Sequence, residues 1–301
     1  MTTPPDLLAL QRTMLLIRAF EEQVRRLAAA GQVPGLVHLC TGQEAVAAGA
    51  ILALRRDDLI ASHHRGHGHC LAKGAPPGLL MAEILGRAPG LSGGRGGSMH
   101  VFDAANGNLG TNGIVGGGVP LATGAALSAR TRGTGQVALA FFGDGALNQG
   151  LVAECMNLAM VWKLPVVFVC QNNQYGEHTH MRDATGVDRI ALRAAAYGIP
   201  GITVDGNDPI AMWNAAGEAV ARARAGEGPT LVEAVTYRFW GHLLGDDMGY
   251  QPKAERQAAM DADPVPRYRA WLLGGGHATA EELAGIEARV VAEVEDAVQF
   301  A

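Results

Sequence analysis

Two short runs hold the residues whose types and spacing can do chemistry. One is Phe142-Gly143-Asp144-Gly145-Ala146. The other is Asn172-Asn173-Gln174-Tyr175, with 26 residues between Gly145 and Asn172. Asp144 offers a hard carboxylate and Asn173 a side-chain carbonyl. Main-chain carbonyls of the loop that follows can add a third oxygen. An oxygen-only set suits Mg²⁺ or Ca²⁺ and is poor for zinc. Gly143 and Gly145 let the backbone approach a ligand closely, and a helix starting at Gly145–Leu147 presents free N–H groups to an anion. Together these features describe a site for a diphosphate bridged by magnesium. Gly-Asp-Gly by itself also fits a plain strand-to-helix turn with an Asp cap. No G-x-G-x-x-G follows a strand, and no G-x-x-x-x-G-K-[ST] occurs, so a dinucleotide fingerprint and a P-loop are excluded.

Histidines form the second chemical feature. The run His63-His64-Arg65-Gly66-His67-Gly68-His69 could read as a zinc site. It lacks a carboxylate at metallohydrolase spacing, and the interposed Arg65 disfavours a dication. A loop facing an anion is the better reading, ahead of a solvated cluster. His67 and His100 are expected either to order loops or to serve the site. His178, His180 and His277 are expected on the surface. Arg87, Arg95 and Lys163 are expected to be solvated charges.

The two motifs need elements to hold them. Val137–Phe142 and Pro165–Cys170 are continuous apolar runs, and each ends at one motif. Between them Leu147–Trp162 is expected to be helical. Helices are expected at Asp188–Tyr197 and Asp208–Arg224, and strands at Ile202–Val204 and Thr230–Val235. Apolar strands alternating with helices predict an α/β fold, a mostly parallel sheet with helices on both faces. The carboxyl ends of such strands form the ligand crevice, so both motifs face one edge. Upstream, apolar steps of three and four from Leu7 to Leu27 predict a helix, capped by Asp6 and ended by Gly31. A T-x-x-E box at Thr41–Glu44 opens a second helix to about Arg55, which gives Glu44 a structural role. A short helix follows at Gly78–Leu85.

Residues 86–118 are of another kind: twelve of these 33 are glycine. Interspersed Met99, Val101, Phe102, Leu109, Ile114 and Val115 predict an ordered loop packed closely against something. A small-residue helix, Pro120–Arg130, comes next. After Tyr237 the chain is loop-like to about Pro252. The tail then holds helices at Pro264–Leu273 and Thr279–Val298, the last opened by a second T-x-x-E. The whole, 1–301, reads as one domain with a helical segment 1–85, the glycine-rich loop 86–118 and a helical tail 253–301.

Composition narrows the classes. The 301 residues carry 24 Lys+Arg against 29 Asp+Glu, a net charge of −5, so a nucleic-acid partner is not expected. Apolar residues at 48% and charged residues at 18% exclude a disordered chain. No apolar run is long enough for a membrane span, and Met1–Leu8 lacks the pattern of a signal peptide. Cys40, Cys70, Cys155 and Cys170 form no CxxC pair and read as free thiols of a cytoplasmic protein.

Gly-Asp-Gly, 26 residues and Asn-Asn form the signature of thiamine-diphosphate enzymes. The likeness extends over GLVHLCTGQEAV (35–46), SHHRGHGHCLAKG (62–74), GGRGGSMHVFD (93–103), LGTNGIVGGGVPLATGAAL (109–127), FFGDGALNQG (141–150), WKLPVVFVCQNNQYG (162–176) and YRFWGH (237–242). From about residue 10 to 272 the chain resembles the alpha subunit of the thiamine-dependent first component of 2-oxo-acid and acetoin dehydrogenase complexes. The resemblance implies a thiamine-diphosphate-binding fold. It implies that Asp144, Asn173 and the carbonyl of Tyr175 bind Mg²⁺. It implies that His64, Arg65 and His242 face the cofactor, that Gly113 and Val115 contact its aminopyrimidine, and that Gly145 and Ala146 contact its diphosphate. His38 and His242 are the implied catalytic residues, with His38 at the reacting centre, where a histidine can move protons near neutral pH.

Thiamine catalysis also needs a carboxylate against the aminopyrimidine. In this superfamily that Glu lies in a second α/β domain, and residues 1–135 show no second set of apolar strands. The missing half is therefore expected in a beta subunit, as α2β2, with a lipoyl-bearing acyltransferase as the acceptor. Two departures stand out. Leu243 follows His242 where pyruvate-specific mitochondrial members carry a phosphorylatable Ser, and Gln171 replaces the usual Glu. The implied activity is cleavage of acetoin or decarboxylation of a 2-oxo acid such as pyruvate, with the histidine and loop stretches closer to the acetoin type. A non-catalytic paralogue is the alternative that the intact Asp144/Asn173 pair opposes. A transketolase-like half is opposed by the 35–46 and 93–103 stretches.

Overall fold

Asp6 starts the first element as its sequence position demands: its carboxylate accepts from Ala9 N–H at 2.9 Å. Helix α1 then runs Leu7–Ala29. The computed structural model describes residues 4–301. Met1–Thr3, part of the segment tested above for a signal peptide, lie outside the described residues. Helix α2 (Glu44–Leu52), strand β1 (Leu59–Ala61), helix α3 (His67–Ala72) and helix α4 (Pro77–Ile84) precede the glycine-rich loop. Helix α5 (Gly118–Arg132), β2 (Ala138–Gly143), α6 (Gly150–Val161) and β3 (Val166–Asn172) follow. A two-stranded hairpin comes next, β4 (Tyr175–Gly176) and β5 (Thr179–His180), then the short α7 (Met181–Ala184). The chain continues through β6 (Gly201–Asp205), α8 (Pro209–Arg224), β7 (Thr230–Val235), α9 (Lys253–Asp261), α10 (Pro264–Gly274) and α11 (Ala280–Phe300).

Five strands form one sheet in the order β1-β2-β3-β7-β6, and every pairing is parallel. The register sets Gly143 beside Gln171 and Asn172 beside Val235. Both motifs therefore emerge at one sheet edge, on adjacent strands. Helices α5 and α6 cover one face around Phe142 and Phe168. Helices α2 and α8 cover the other around Phe141 and Val169. A third apolar cluster joins α1, α4, α10 and α11 outside α2. Burying each such Phe or Leu contributes roughly 1.5–3 kcal/mol, so the sheet edge stands on a stiff base.

Several expectations need correction. The Thr41–Glu44 capping box does not form, because Gln43 precedes α2 with no side-chain cap. The Glu44 carboxylate instead takes Gly42 N–H at 3.0 Å and Arg18 Nε at 2.5 Å, and α2 ends at Leu52 rather than Arg55. The role of Glu44 remains structural, but it is an ion pair to α1. The expected helix start at Gly145–Leu147 is a 3-10 turn over Asp144–Asn148, and the α-helix begins only at Gly150. The expected helix at 188–197 is a 3-10 helix, Ile190–Tyr197. Strand β1 lies in a segment read as helix and loop; three residues are too few to show a period. The Thr279–Glu282 capping box of α11 forms as read. Among the described residues all four cysteines are free and buried, and no helix is long and apolar enough to cross a membrane.

Candidate active site

The carboxyl edge of β2 and β3 opens into a cleft of about 280 Å³. His63, His64, Arg65, Val115, Gly116, Asp144, Gly145, Ala146, Asn173, Tyr175, Arg238 and His242 line it, among others. Nine of the eleven site residues that the resemblance implies thus meet in one cavity: His64, Arg65, Val115, Asp144, Gly145, Ala146, Asn173, Tyr175 and His242. Two do not line it. Gly113 is exposed beside the His100 ring, and His38 is buried behind the cleft wall.

The metal question turns on three oxygens. The Asn173 amide oxygen stands 3.1 Å from the Tyr175 carbonyl oxygen and 3.3 Å from Asp144 Oδ1, acceptor facing acceptor. Turning the amide over would relieve that contact but set its oxygen 3.3 Å from Gln43 Oε1, another acceptor. A cation among the three satisfies them all. An octahedron with bonds of about 2.1 Å has neighbouring oxygens about 3.0 Å apart, close to what is seen. The residues fit a small hard dication. Burial pushes the Asp144 carboxyl up to about 6, against the pull of Arg238 and Arg65. A cation would reverse that push.

The anion question turns on two guanidiniums. Arg65 is 3% exposed and Arg238 1%. Arg65 donates to Leu39 O at 3.1 Å and His242 O at 2.7 Å. Arg238 donates to the Tyr175 and Glu177 carbonyls and to Tyr250 Oη. Neither makes an ion pair among the described residues. Burial, then the Arg238 charge, push Arg65 down to about 9, so it remains a cation at neutral pH. Two buried cations without a carboxylate partner call for an anionic ligand. The backbone beside them is bare: a Cβ added at Gly145 would stand 2.9 Å from Gly176 Cα. Gly145 thus packs backbone to backbone against Gly176, and both line the cleft.

Three imidazoles cluster here: His64 and His242 line the cleft, and His38 packs against both. The rings of His38 and His64 are 4.7 Å apart, those of His38 and His242 5.0 Å, and those of His64 and His242 5.6 Å. Ring nitrogens of all three lie within 4.8 Å of one another, which would suit a transition metal by distance alone. Arg65 Nη2, 3.3 Å from His242 Nδ1, opposes that use. Burial, reinforced by Arg65, pushes His38 down to about 3 and His242 to about 4. His64 moves the same way. They are neutral at pH 7. His38 Nδ1 is buried without a hydrogen-bond partner.

Sequence reasoning passed over Arg238 and read His63 only as part of an anion-facing loop. His63 Nδ1 accepts from Arg65 N–H at 3.1 Å, which leaves Nε2–H to donate to Gln171 Oε1 at 2.5 Å. The Gln171 departure thus matters through His63. Arg238 sits inside the quoted YRFWGH stretch, and its charge amid apolar neighbours was the available signal. The loop after His242 is tied down by Asp246, which accepts from His242 N–H at 2.6 Å and Tyr250 Oη at 2.7 Å. His67 is structural: it bridges Glu21 and Ser98. Arg87, Arg95, Lys163, His178 and His277 are exposed, as expected. His100 is exposed as well, and His180 is half-buried at the N-terminus of α7.

Comparisons with known proteins agree with this architecture. The family profile of the dehydrogenase E1 component matches residues 12–301. The alpha subunit of an acetoin:2,6-dichlorophenolindophenol oxidoreductase from Bacillus subtilis is 50% identical over 299 residues, 99% of this chain and 89% of that protein. Its namesake from Cupriavidus necator is 47% identical over 98% of this chain and 89% of its own length. The pyruvate dehydrogenase E1 alpha subunit of Rhizobium meliloti is 44% identical over 98% of this chain and 85% of its own length. With the profile covering nearly its whole length, the chain belongs to the dehydrogenase E1 component family.

Proposed function

We propose that this chain is the alpha subunit of a thiamine-diphosphate-dependent oxidoreductase whose substrate is acetoin. One observation carries the reading of the site: three facing oxygens on Asp144, Asn173 and Tyr175, beside two buried guanidiniums that lack carboxylates. Asp144, Asn173 and the Tyr175 carbonyl would hold Mg²⁺. Arg65, with the bare backbone at Gly145 and Ala146, would hold the diphosphate, and Val115 would lie against the aminopyrimidine. Bound thiamine diphosphate supplies a nucleophilic carbon and an electron sink for carbon–carbon cleavage. His38 and His242, neutral and facing each other, would accept or return a substrate hydroxyl proton and orient it by hydrogen bonds. In the net reaction acetoin and a lipoyl disulfide give acetaldehyde and an acetyl thioester of the dihydrolipoyl group on an acyltransferase.

A beta subunit completes the assembly, as α2β2, and supplies the aminopyrimidine Glu. Support comes from the sheet count and the surface. Only one five-stranded sheet exists among the described residues. Ile114 and Val115, beside the cleft, are 69% and 47% exposed. The four free cysteines support a reducing, cytoplasmic setting. Acetoin is preferred over pyruvate because both relatives named for acetoin exceed the quoted pyruvate relative in identity. The test is co-expression with the product of the adjacent reading frame. Acetoin, pyruvate and branched-chain 2-oxo acids are then assayed with 2,6-dichlorophenolindophenol as acceptor. Turnover of acetoin at ten times or more the rate of any 2-oxo acid is expected. Preference for a 2-oxo acid overturns the substrate, and inactivity on all overturns the activity.

A further inference from the structure

Glu83, on α4, is fully buried and belongs to no ion pair among the described residues. Its carboxylate is wrapped by the glycine-rich loop. Oε2 accepts from Ser92 N–H at 2.6 Å and Gly94 N–H at 2.9 Å; Oε1 accepts from Gly96 N–H at 2.6 Å and Gly97 N–H at 3.3 Å. Successive backbone N–H groups curling round one anion form a nest, and here the anion is the protein's own. The wrapping leaves no space for side chains. A Cβ at Gly90 would stand 2.5 Å from Glu83 Oε2, and one at Gly96 2.1 Å from His100 O. Gly90, Gly94, Gly96 and Gly97, four of the twelve glycines of this loop, thus serve the wrapping of Glu83.

From this anchor the loop is stitched toward the site. Ser98 holds His67 through Oγ at 2.9 Å. Thr111 Oγ1 accepts from Val101 N–H at 2.8 Å and donates to Met99 O at 2.6 Å. The Thr111 methyl fills the place of a side chain at Gly66, where a Cβ would stand 2.1 Å from it. Gly110 O accepts from Ser62 N–H at 2.9 Å. The segment so supported, residues 62–67, carries His63, His64 and Arg65. The same loop ends in Val115 and Gly116, which line the cleft.

We propose that Glu83 is a positioning residue: it orders the glycine-rich loop, and through it the Arg65 segment and the Val115–Gly116 turn that receive the cofactor. This rests on the reading of the cleft as a thiamine-diphosphate site. In the Glu83→Gln variant an NH₂ faces two N–H donors, so the nest opens. In the Gly96→Ala variant Glu83 is kept and the loop is displaced sterically. Both are tested in the complex with the beta subunit. Cofactor affinity is measured by calorimetry with Mg²⁺, kcat at saturating cofactor, and loop order by trypsin cleavage after the exposed Arg87 and Arg95. The expected result for both variants is faster cleavage, a thiamine diphosphate Kd raised tenfold or more, and kcat within about twofold of wild type. Faster cleavage with an unchanged Kd would overturn the proposal, as would unchanged cleavage in Glu83→Gln. If Glu83→Gln is not recovered folded, Gly96→Ala decides by the same readouts. A wild-type complex that binds no cofactor refutes the reading of the cleft instead, and the cleavage rates still judge Glu83 as the anchor.

Discussion

Replacing Arg65 with Met separates what this residue does for the fold from what it does for a ligand. Burial and Arg238 bring the guanidinium from 12.5 to about 9. A drop of that size makes the charged form unfavourable in the folded chain by roughly 5 kcal/mol. Against it stand two hydrogen bonds, to Leu39 O and His242 O. The substitution leaves those two carbonyls without a donor, at about 1–3 kcal/mol each, so the two effects nearly cancel. Arg65→Met is therefore expected to change the stability of the cofactor-free complex by no more than about 2 kcal/mol in either direction. Cofactor binding has no such compensation. Loss of a bidentate charge-assisted contact to phosphate is expected to cost about 3 kcal/mol, a Kd roughly 100-fold higher. Differential scanning calorimetry with and without thiamine diphosphate and Mg²⁺ reads both quantities. The variant should match wild type without cofactor and show a much smaller cofactor-induced rise in Tm. A variant that loses about 4 kcal/mol or more without cofactor yet keeps wild-type affinity would refute the reasoning and make Arg65 a structural residue.

Two further outcomes follow from the geometry. Gly145→Ala places a Cβ 2.9 Å from Gly176 Cα, backbone against backbone, whereas Gly143→Ala meets nothing within 4 Å. Calorimetry should show Gly145→Ala weakening cofactor binding tenfold or more and Gly143→Ala by less than about threefold; equal effects would contradict the close-approach argument. Acid should destabilise the protein through its buried histidines. His63 falls from 6.5 to about 4 on folding, chiefly by burial. Between those values the unfolded chain binds the proton and the folded chain does not, so stability is lost as pH falls from about 6.5 toward 4. His63 alone contributes about 3 kcal/mol over that window, and a Tm that stays flat from pH 7 to 5 would contradict it.

Much of this architecture was legible because periodicity and motif agreed. The strands ending at Gly143 and Asn172 are continuous apolar runs, and their parallel pairing follows from the helix between them. The Asp144, Asn173 and Tyr175 oxygens could be read from spacing and family likeness together. Three things could not be read. Strand β1 is too short to show a period and is recruited by pairing with β2. The Thr41–Glu44 box fails because Arg18, distant in sequence, competes for Glu44. Glu83 acts through burial and tertiary partners, which a one-dimensional pattern does not carry. The glycine excess illustrates the same limit. Its location is plain in the sequence, but the carboxylate it wraps becomes visible only when α4 and residues 92–97 are seen together.

The central claim is that this cleft holds a diphosphate through a dication. The most direct measurement is calorimetric titration of thiamine diphosphate into the alpha–beta complex, with Mg²⁺ and with a chelator, for wild type and Asp144→Ala. Micromolar binding is expected for wild type with Mg²⁺, at least 100-fold weaker binding in chelator, and no Mg²⁺ dependence in a folded Asp144→Ala complex. Binding that ignores both the chelator and the substitution would contradict the account.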